Sequence, residues 1–210
     1  MPAGRRRRRH AGGARLRPVA AVLPVALWLW LLPAAAGVGD TQAGPPAVLV
    51  VGDSLGVGMR PSLPAMLRSD GVVWDVRSGR TTPQGLERLR ARLRQVHPAA
   101  VVFSLGTNDG SDPGRFSSRL SRALGAVPPD ACVVWININR PPRKGAYAAL
   151  NRVLWRWTYR DPRLVVVDWD RAVAMHLVTL PDGLHPDPAG FQYRSSMVAT
   201  AVDQGCRPSP

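Results

Sequence analysis

The sequence predicts an α/β fold: a three-layer α/β/α domain built on a five-stranded parallel sheet. Three observations carry this. Five short, valine-rich apolar runs recur at fairly regular intervals. Segments with helical spacing lie between them. The runs mostly lack the alternation of a sheet with one wet face, so they read as strands buried on both sides, as in a parallel sheet.

The predicted strands are residues 47–51 (AVLVV), 72–76 (VVWDV), 100–105 (AVVFSL), 132–136 (CVVWI) and 164–167 (LVVV). Between the second and third, residues 83–96 place Leu86, Leu89, Leu93 and Val96 at steps of three and four, the apolar stripe of an amphipathic helix. Arg88, Arg90, Arg92 and Arg94 take the other positions and read as its solvated face. Residues 115–127 and 146–157 repeat the pattern, and a last helix is predicted over 188–202. Such sheets bind ligands beyond the carboxyl ends of their strands. The rim is therefore built from Gly52-Asp53-Ser54, Arg77-Ser78-Gly79, Gly106-Thr107-Asn108-Asp109 and Asn137-Ile138-Asn139-Arg140.

Ahead of this domain, Arg5 to Arg9 precede an apolar stretch over 19–36, broken only by Pro24 and Pro33 and ending in Ala34-Ala35-Ala36-Gly37. This is the three-part pattern of a secretory signal, with a cut after Ala36 or, second, after Ala43. The alternative is an uncleaved membrane anchor through residues 19–36, which are about long enough to span a bilayer. Residues 37–46 read as a linker, 47–204 as the domain and 205–210 as a tail. The composition, 45% hydrophobic and 20% charged, suits a packed core. The net charge of +14 is concentrated at the start: seven of 28 basic residues precede residue 37, where no acid lies, and without them the excess falls to +7. Basic and aromatic residues are not interleaved, so the charge does not indicate nucleic-acid binding. In an oxidising compartment Cys132 and Cys206 can form a disulfide; the alternative is two separate thiols. With no His-Glu-x-x-His and no three-ligand cluster, the sequence calls for no metal and no cofactor.

A serine hydroxyl is a poor nucleophile until a base takes its proton, usually a histidine oriented by a carboxylate. Of four histidines, His10 lies in the leader and His97 before Pro98. His176 sits in an apolar stretch and is expected to be partly buried. His185 follows Asp182 by three residues in one loop, so the carboxylate can reach its ring. Gly52-Asp53-Ser54-Leu55-Gly56 also satisfies the G-x-S-x-G elbow of α/β-hydrolases, but there the nucleophile follows a strand in mid-sheet, and acid and base come from different loops.

These residues resemble the SGNH hydrolase family, also called the GDSL esterases. Gly52-Asp53-Ser54-Leu55 with Gly58 matches the nucleophile block, Gly79 the second, Gly106-x-Asn108-Asp109 the third and Asp182-x-x-His185 the last. The resemblance covers residues 47–204 and implies the flavodoxin-like SGNH fold. It assigns Ser54 as nucleophile, His185 as base and Asp182 as its orienter. The oxyanion hole falls to the backbone N–H groups of Ser54 and Gly79 and the side-chain amide of Asn108. Asp53 and Asp109 are expected to bond loop backbone. Trp135-Ile136-Asn137-Ile138-Asn139-Arg140-Pro141, Asn151 and Val167-Asp168-Trp169 resemble extracytoplasmic SGNH domains of cell-wall O-acyltransferases. The bland reading is a strand end, a helix-facing amide and a strand cap.

Three functions follow: an extracytoplasmic serine esterase on acylated glycans or small esters, an O-acyltransferase on cell-wall glycan using the same acyl-serine, or a non-catalytic domain that binds polymer. Arg80, Arg140 and Arg143 lie near the inferred rim, facing an anionic or sugar substrate or simply solvent. The sequence does not identify the substrate or the oligomeric state.

Overall fold

Valine-rich runs joined by amphipathic crossovers leave few arrangements other than a parallel sheet wrapped on both faces. A computed structural model describes residues 47–68, 71–141 and 147–206. The predicted leader or anchor, the whole linker, most of the predicted tail, and Arg143 lie outside them.

The elements in order are β1 (Val48–Gly52), α1 (Ser54–Gly58), α2 (Leu63–Met66), β2 (Val72–Val76), α3 (Thr82–Leu93), β3 (Ala100–Ser104), α4 (Pro113–Ala126), β4 (Cys132–Ile136), α5 (Ala148–Thr158), β5 (Leu164–Val167), α6 (Trp169–Ala174) and α7 (Pro188–Thr200). All strand pairs are parallel, in the order β2-β1-β3-β4-β5. Central strands β1 and β3 are buried at every position, while the edges β2 and β5 are partly exposed because each lacks one neighbour.

Alternate residues of each strand face opposite layers. Leu49, Val51, Val101, Phe103, Val133 and Trp135 pack with α3, α4 and α5. Val48, Val50, Val102, Val134 and Ile136 pack with Met59 and with residues of α2, α6 and α7. Gly58 lies so close to α7 that a Cβ there would come within 2.0 Å of the Phe191 ring. Helices α4 and α7 begin at Asp-Pro pairs. The Asp112 and Asp187 carboxylates accept the backbone N–H groups of Arg115 and Gly190, and Pro113 and Pro188 supply the preset φ of a first turn.

Packing continues past α7 through a π-helical turn, Ala201–Gly205, to Cys206, which is disulfide-bonded to Cys132 at the start of β4 with Cα atoms 5.4 Å apart. The pairing ties the C-terminal end to the sheet across a separation of 74 residues.

Two expectations are corrected. His176 is exposed, not partly buried, and has φ +56° in the turn after α6, where Met175 and Leu177 are also exposed. The apolar letters there belong to a helix exit and not to a core face. The α3 arginines are not simply a solvated face: Arg88 and Arg92 reach back to the buried Asp75 of β2, at 3.0 and 2.8 Å. The one sign of this in the letters is Asp75 itself, an acid inside an otherwise apolar strand.

Candidate active site

The sheet order reverses between β1 and β3, the place where open α/β sheets leave a crevice. Ser54 follows β1 and Asn108 follows β3, so both stand at that crevice. The chain passes from Gly52 straight into α1 because Asp53 caps the helix: its Oδ1 accepts the Leu55 N–H at 3.0 Å, and its own N–H donates to the Ser104 carbonyl of β3 at 3.0 Å. Asp53 is fully buried. Burial pushes its carboxyl up, opposed by the Arg194 charge and by hydrogen bonds from Leu55, Gly56 and Thr107. Arg194, also fully buried, is drawn down to about 10 by desolvation, against the pull of Asp53. It donates to Ser104 Oγ at 3.2 Å and lies 4.7 Å from the Trp169 ring centre.

The base loop is braced locally. The Gly183 N–H donates to the Leu180 carbonyl, and the Asp187 N–H to that of Thr179. Gly183 has φ +77°, which favours glycine. Asp182 Oδ1 accepts the N–H groups of Leu184 and His185 at 2.9 and 2.7 Å; Oδ2 lies 2.7 Å from His185 Nδ1. His185 Nε2 lies 2.8 Å from Ser54 Oγ. The His185 side-chain bond and the two backbone N–H groups hold the Asp182 carboxyl well below the usual range. An ionised Asp182 has no proton to give, so Nδ1–H is the donor and Nε2 is the acceptor facing the serine hydroxyl. That is the relay a nucleophilic serine needs.

Gly79 has φ +72°, and its N–H and that of Ser54 donate to no other described residue. Asn108 hydrogen-bonds none of Ser54, Asp182 and His185. Its Nδ2 donates to the Arg80 carbonyl at 3.1 Å and reaches Asp53 Oδ2 at 3.4 Å, which fixes the amide between the β1 and β2 loops. Asp109 is structural as expected: its Oδ1 accepts the Thr82 N–H at 2.7 Å, and Oδ2 pairs with Arg119 at 3.0 Å. The Arg80 side chain does not face the rim; it is buried against Asp75. Arg140 donates to the Thr107 carbonyl beside Tyr147.

The residues that suggested acyltransferase domains are engaged in holding loops. Asn137 bonds Asp168 and the Asp170 N–H, each at 2.7 Å. Asn151 clasps the Ile138 N–H and carbonyl at 2.9 and 2.8 Å. Sequence reasoning missed Arg194 and the Asp75 cluster. A basic residue within α7 carries no mark of burial, and only the lone acid in an apolar strand pointed to the second.

A parallel sheet with a serine after its first strand, and acid and base together on one late loop, defines a serine acyl hydrolase. The chain belongs to the GDSL-like lipase/acylhydrolase family, whose sequence pattern matches residues 35–193, and it is a carboxylic ester hydrolase. It is 31% identical to an arylesterase of Vibrio mimicus over 174 residues, 72% of this chain and 86% of that one. It is 41% identical to thioesterase 1/protease 1/lysophospholipase L1 of Escherichia coli K12 over 93 residues, 40% of this chain and 42% of the relative. In structure it resembles TesA (TM-score 0.63, 28% identity, 77% of this chain and 99% of that one). It also shares the fold of the C-terminal catalytic domain of peptidoglycan O-acetyltransferase A from Streptococcus pneumoniae (TM-score 0.64, 18% identity, 77% and 94%).

Proposed function

We propose that this esterase works outside the cytoplasm, through an acyl-serine at Ser54, on O-acylated glycans or small esters. The observation that carries the mechanism is the unbroken relay from Asp182 through His185 to Ser54, at 2.7 and 2.8 Å. Ser54 Oγ attacks the ester carbonyl while His185 Nε2 takes its proton. The oxyanion is received by the N–H groups of Ser54 and Gly79 and by the Asn108 amide, which gives up its long 3.4 Å contact with Asp53 Oδ2 to do so; one such donor is worth about 10²–10³ in turnover. The tetrahedral adduct collapses to the acyl-serine as His185 protonates the departing alcohol. Water, deprotonated by His185, then attacks the acyl-serine and releases the acid. The Cys132–Cys206 disulfide and the basic-then-apolar N-terminus both support an oxidising, extracytoplasmic setting.

The test is p-nitrophenyl acetate turnover by the purified protein and by Ser54→Ala, with and without a soluble chito-oligosaccharide, following the acetyl group by mass spectrometry. Ser54-dependent release of free acetate, indifferent to the sugar, is expected. Transfer of acetyl to the sugar would make the enzyme a transferase, and turnover unchanged in Ser54→Ala would overturn the mechanism.

A further inference from the structure

A cavity of about 590 Å³ lies on the edge strand β2 beside α3, and the hydrolytic relay does not use it. Five arginines line it, Arg60, Arg77, Arg80, Arg88 and Arg92, against two carboxylates, Asp75 and Glu87. Asp75, itself buried, is shared by three of them: Arg80 at 2.8 Å, Arg88 at 3.0 Å and Arg92 at 2.8 Å. Guanidinium groups stay protonated, so one carboxylate faces three cations and cannot satisfy them. Asp75 is ionised: burial pushes its carboxyl up, but the three guanidiniums together hold it below the usual range. Arg80 is 5% exposed and its Nε has no acceptor among the described residues. A cavity lined by five guanidiniums and two carboxylates carries surplus positive charge and is a place for an anion. The Arg88 side chain is 51% exposed and that of Arg92 33%, so an anion from solvent can reach them.

The cavity adjoins the reaction site through one turn. Arg77 and Arg80 both line it and bracket Gly79. The Arg77 N–H donates to the Gly52 carbonyl, and the Arg80 carbonyl accepts from Asn108 Nδ2. A group held by these arginines therefore sits next to the segment that presents the oxyanion donors.

We infer that this arginine cavity binds an anionic oxygen group, phosphate or carboxylate, carried by the ester substrate, so that acylated anionic glycans are preferred over neutral esters. The inference rests on the Ser54 esterase reading for its position in the reaction, and on the arginines alone for the binding.

Two measurements separate these. The first is kcat/KM on matched O-acetyl sugars that are neutral, phosphate-bearing or carboxylate-bearing, for the purified protein and for Arg60→Gln and Arg88→Gln, whose folding is checked by thermal melting. At least one anionic ester should exceed the neutral one by about tenfold or more, the scale of one charge-assisted hydrogen bond. The ratio should fall towards one in the variants, and with added salt. The second is calorimetric binding of the unacetylated phosphate and carboxylate sugars to Ser54→Ala, with and without Arg88→Gln. Binding lost in Arg88→Gln supports the cavity even if no Ser54-dependent turnover is found; in that case it is the esterase mechanism that fails. Ser54-dependent turnover with a ratio near one, unaltered in the variants, together with no binding of either anion, would overturn the inference and leave the esterase intact. The arm that binds tells phosphate from carboxylate.

Discussion

Replacing Asp182 by Asn separates orientation from chemistry, because the two oxygens have different tasks. Oδ1 accepts two backbone N–H groups, and Oδ2 accepts from His185 Nδ1. An asparagine keeps its oxygen on the two backbone donors, since the flipped amide would set NH₂ against both. The Nδ2 group then faces His185 Nδ1 and donates to it, so Nδ1 loses its proton and Nε2 carries one. A protonated Nε2 cannot accept from Ser54. In a buried triad this tautomer error costs about 10⁴ in kcat. Here the Asp182 side chain is 57% exposed. Water can stand in for part of the lost partner, so kcat on p-nitrophenyl acetate is expected to fall about 10²–10³-fold with KM little changed. Melting should be close to wild type, because the loop bonds survive. A fall of under about fivefold in a folded variant would refute the argument, and would reduce Asp182 to a loop cap. Asp182 stays ionised well below the usual carboxylate range, so it should add no ionisation of its own to the acid limb of the pH–rate profile.

Other outcomes are expected. The Cys132→Ser/Cys206→Ser pair opens a loop of 74 residues; the chain-entropy model gives a loss of about 4 kcal/mol, read as a Tm lower by about 10 °C. Asp75 has a depressed carboxyl, so its support for the fold is full above about pH 4 and is lost as pH falls through its lower folded value. Asp75→Asn should therefore cost about 3 kcal/mol at pH 7 by denaturant melting and flatten the fall in stability below pH 4, because it strands the buried Arg80. Gly79→Ala meets open space but a φ of +72°; a strain of about 1 kcal/mol should appear as several-fold lower kcat with the fold kept. Because the proposed serine relay supplies both nucleophile and base, EDTA should leave turnover unchanged; activity lost in EDTA and restored by zinc would contradict that.

The sheet is legible in the sequence because burial on both faces forces unbroken apolar runs, and the observed strands lie within a residue of the predicted ones. Helices α3, α4, α5 and α7 are legible through their spacing or flanking turns. The short helices α1, α2 and α6 are not, since four to six residues hold too little periodicity. The Asp182–His185 contact is legible because three residues of one turn bring it about. Its junction with Ser54, 131 residues away, is not a matter of spacing, and only the order of strands and loops implies it. The pairing of Asp75 and the burial of Arg194 were illegible for a common reason: their partners come from other elements, and burial of a charge depends on those partners being there.

The site joins two differently built supports. Ser54 stands on buried structure: β1, the capped α1 and the close contact of Gly58 with Phe191. His185 stands on an exposed loop whose precision comes from its own bonds, two backbone N–H groups and one ring nitrogen on a single carboxylate, with Gly183 making the turn. The two meet at one hydrogen bond of 2.8 Å. Damage to the first support therefore loosens the fold along with the chemistry. Damage to the second misplaces the base while most of the core stays packed. Exposure of the acid–base loop thus need not weaken catalysis, because its geometry is set by bonds within residues 179–187.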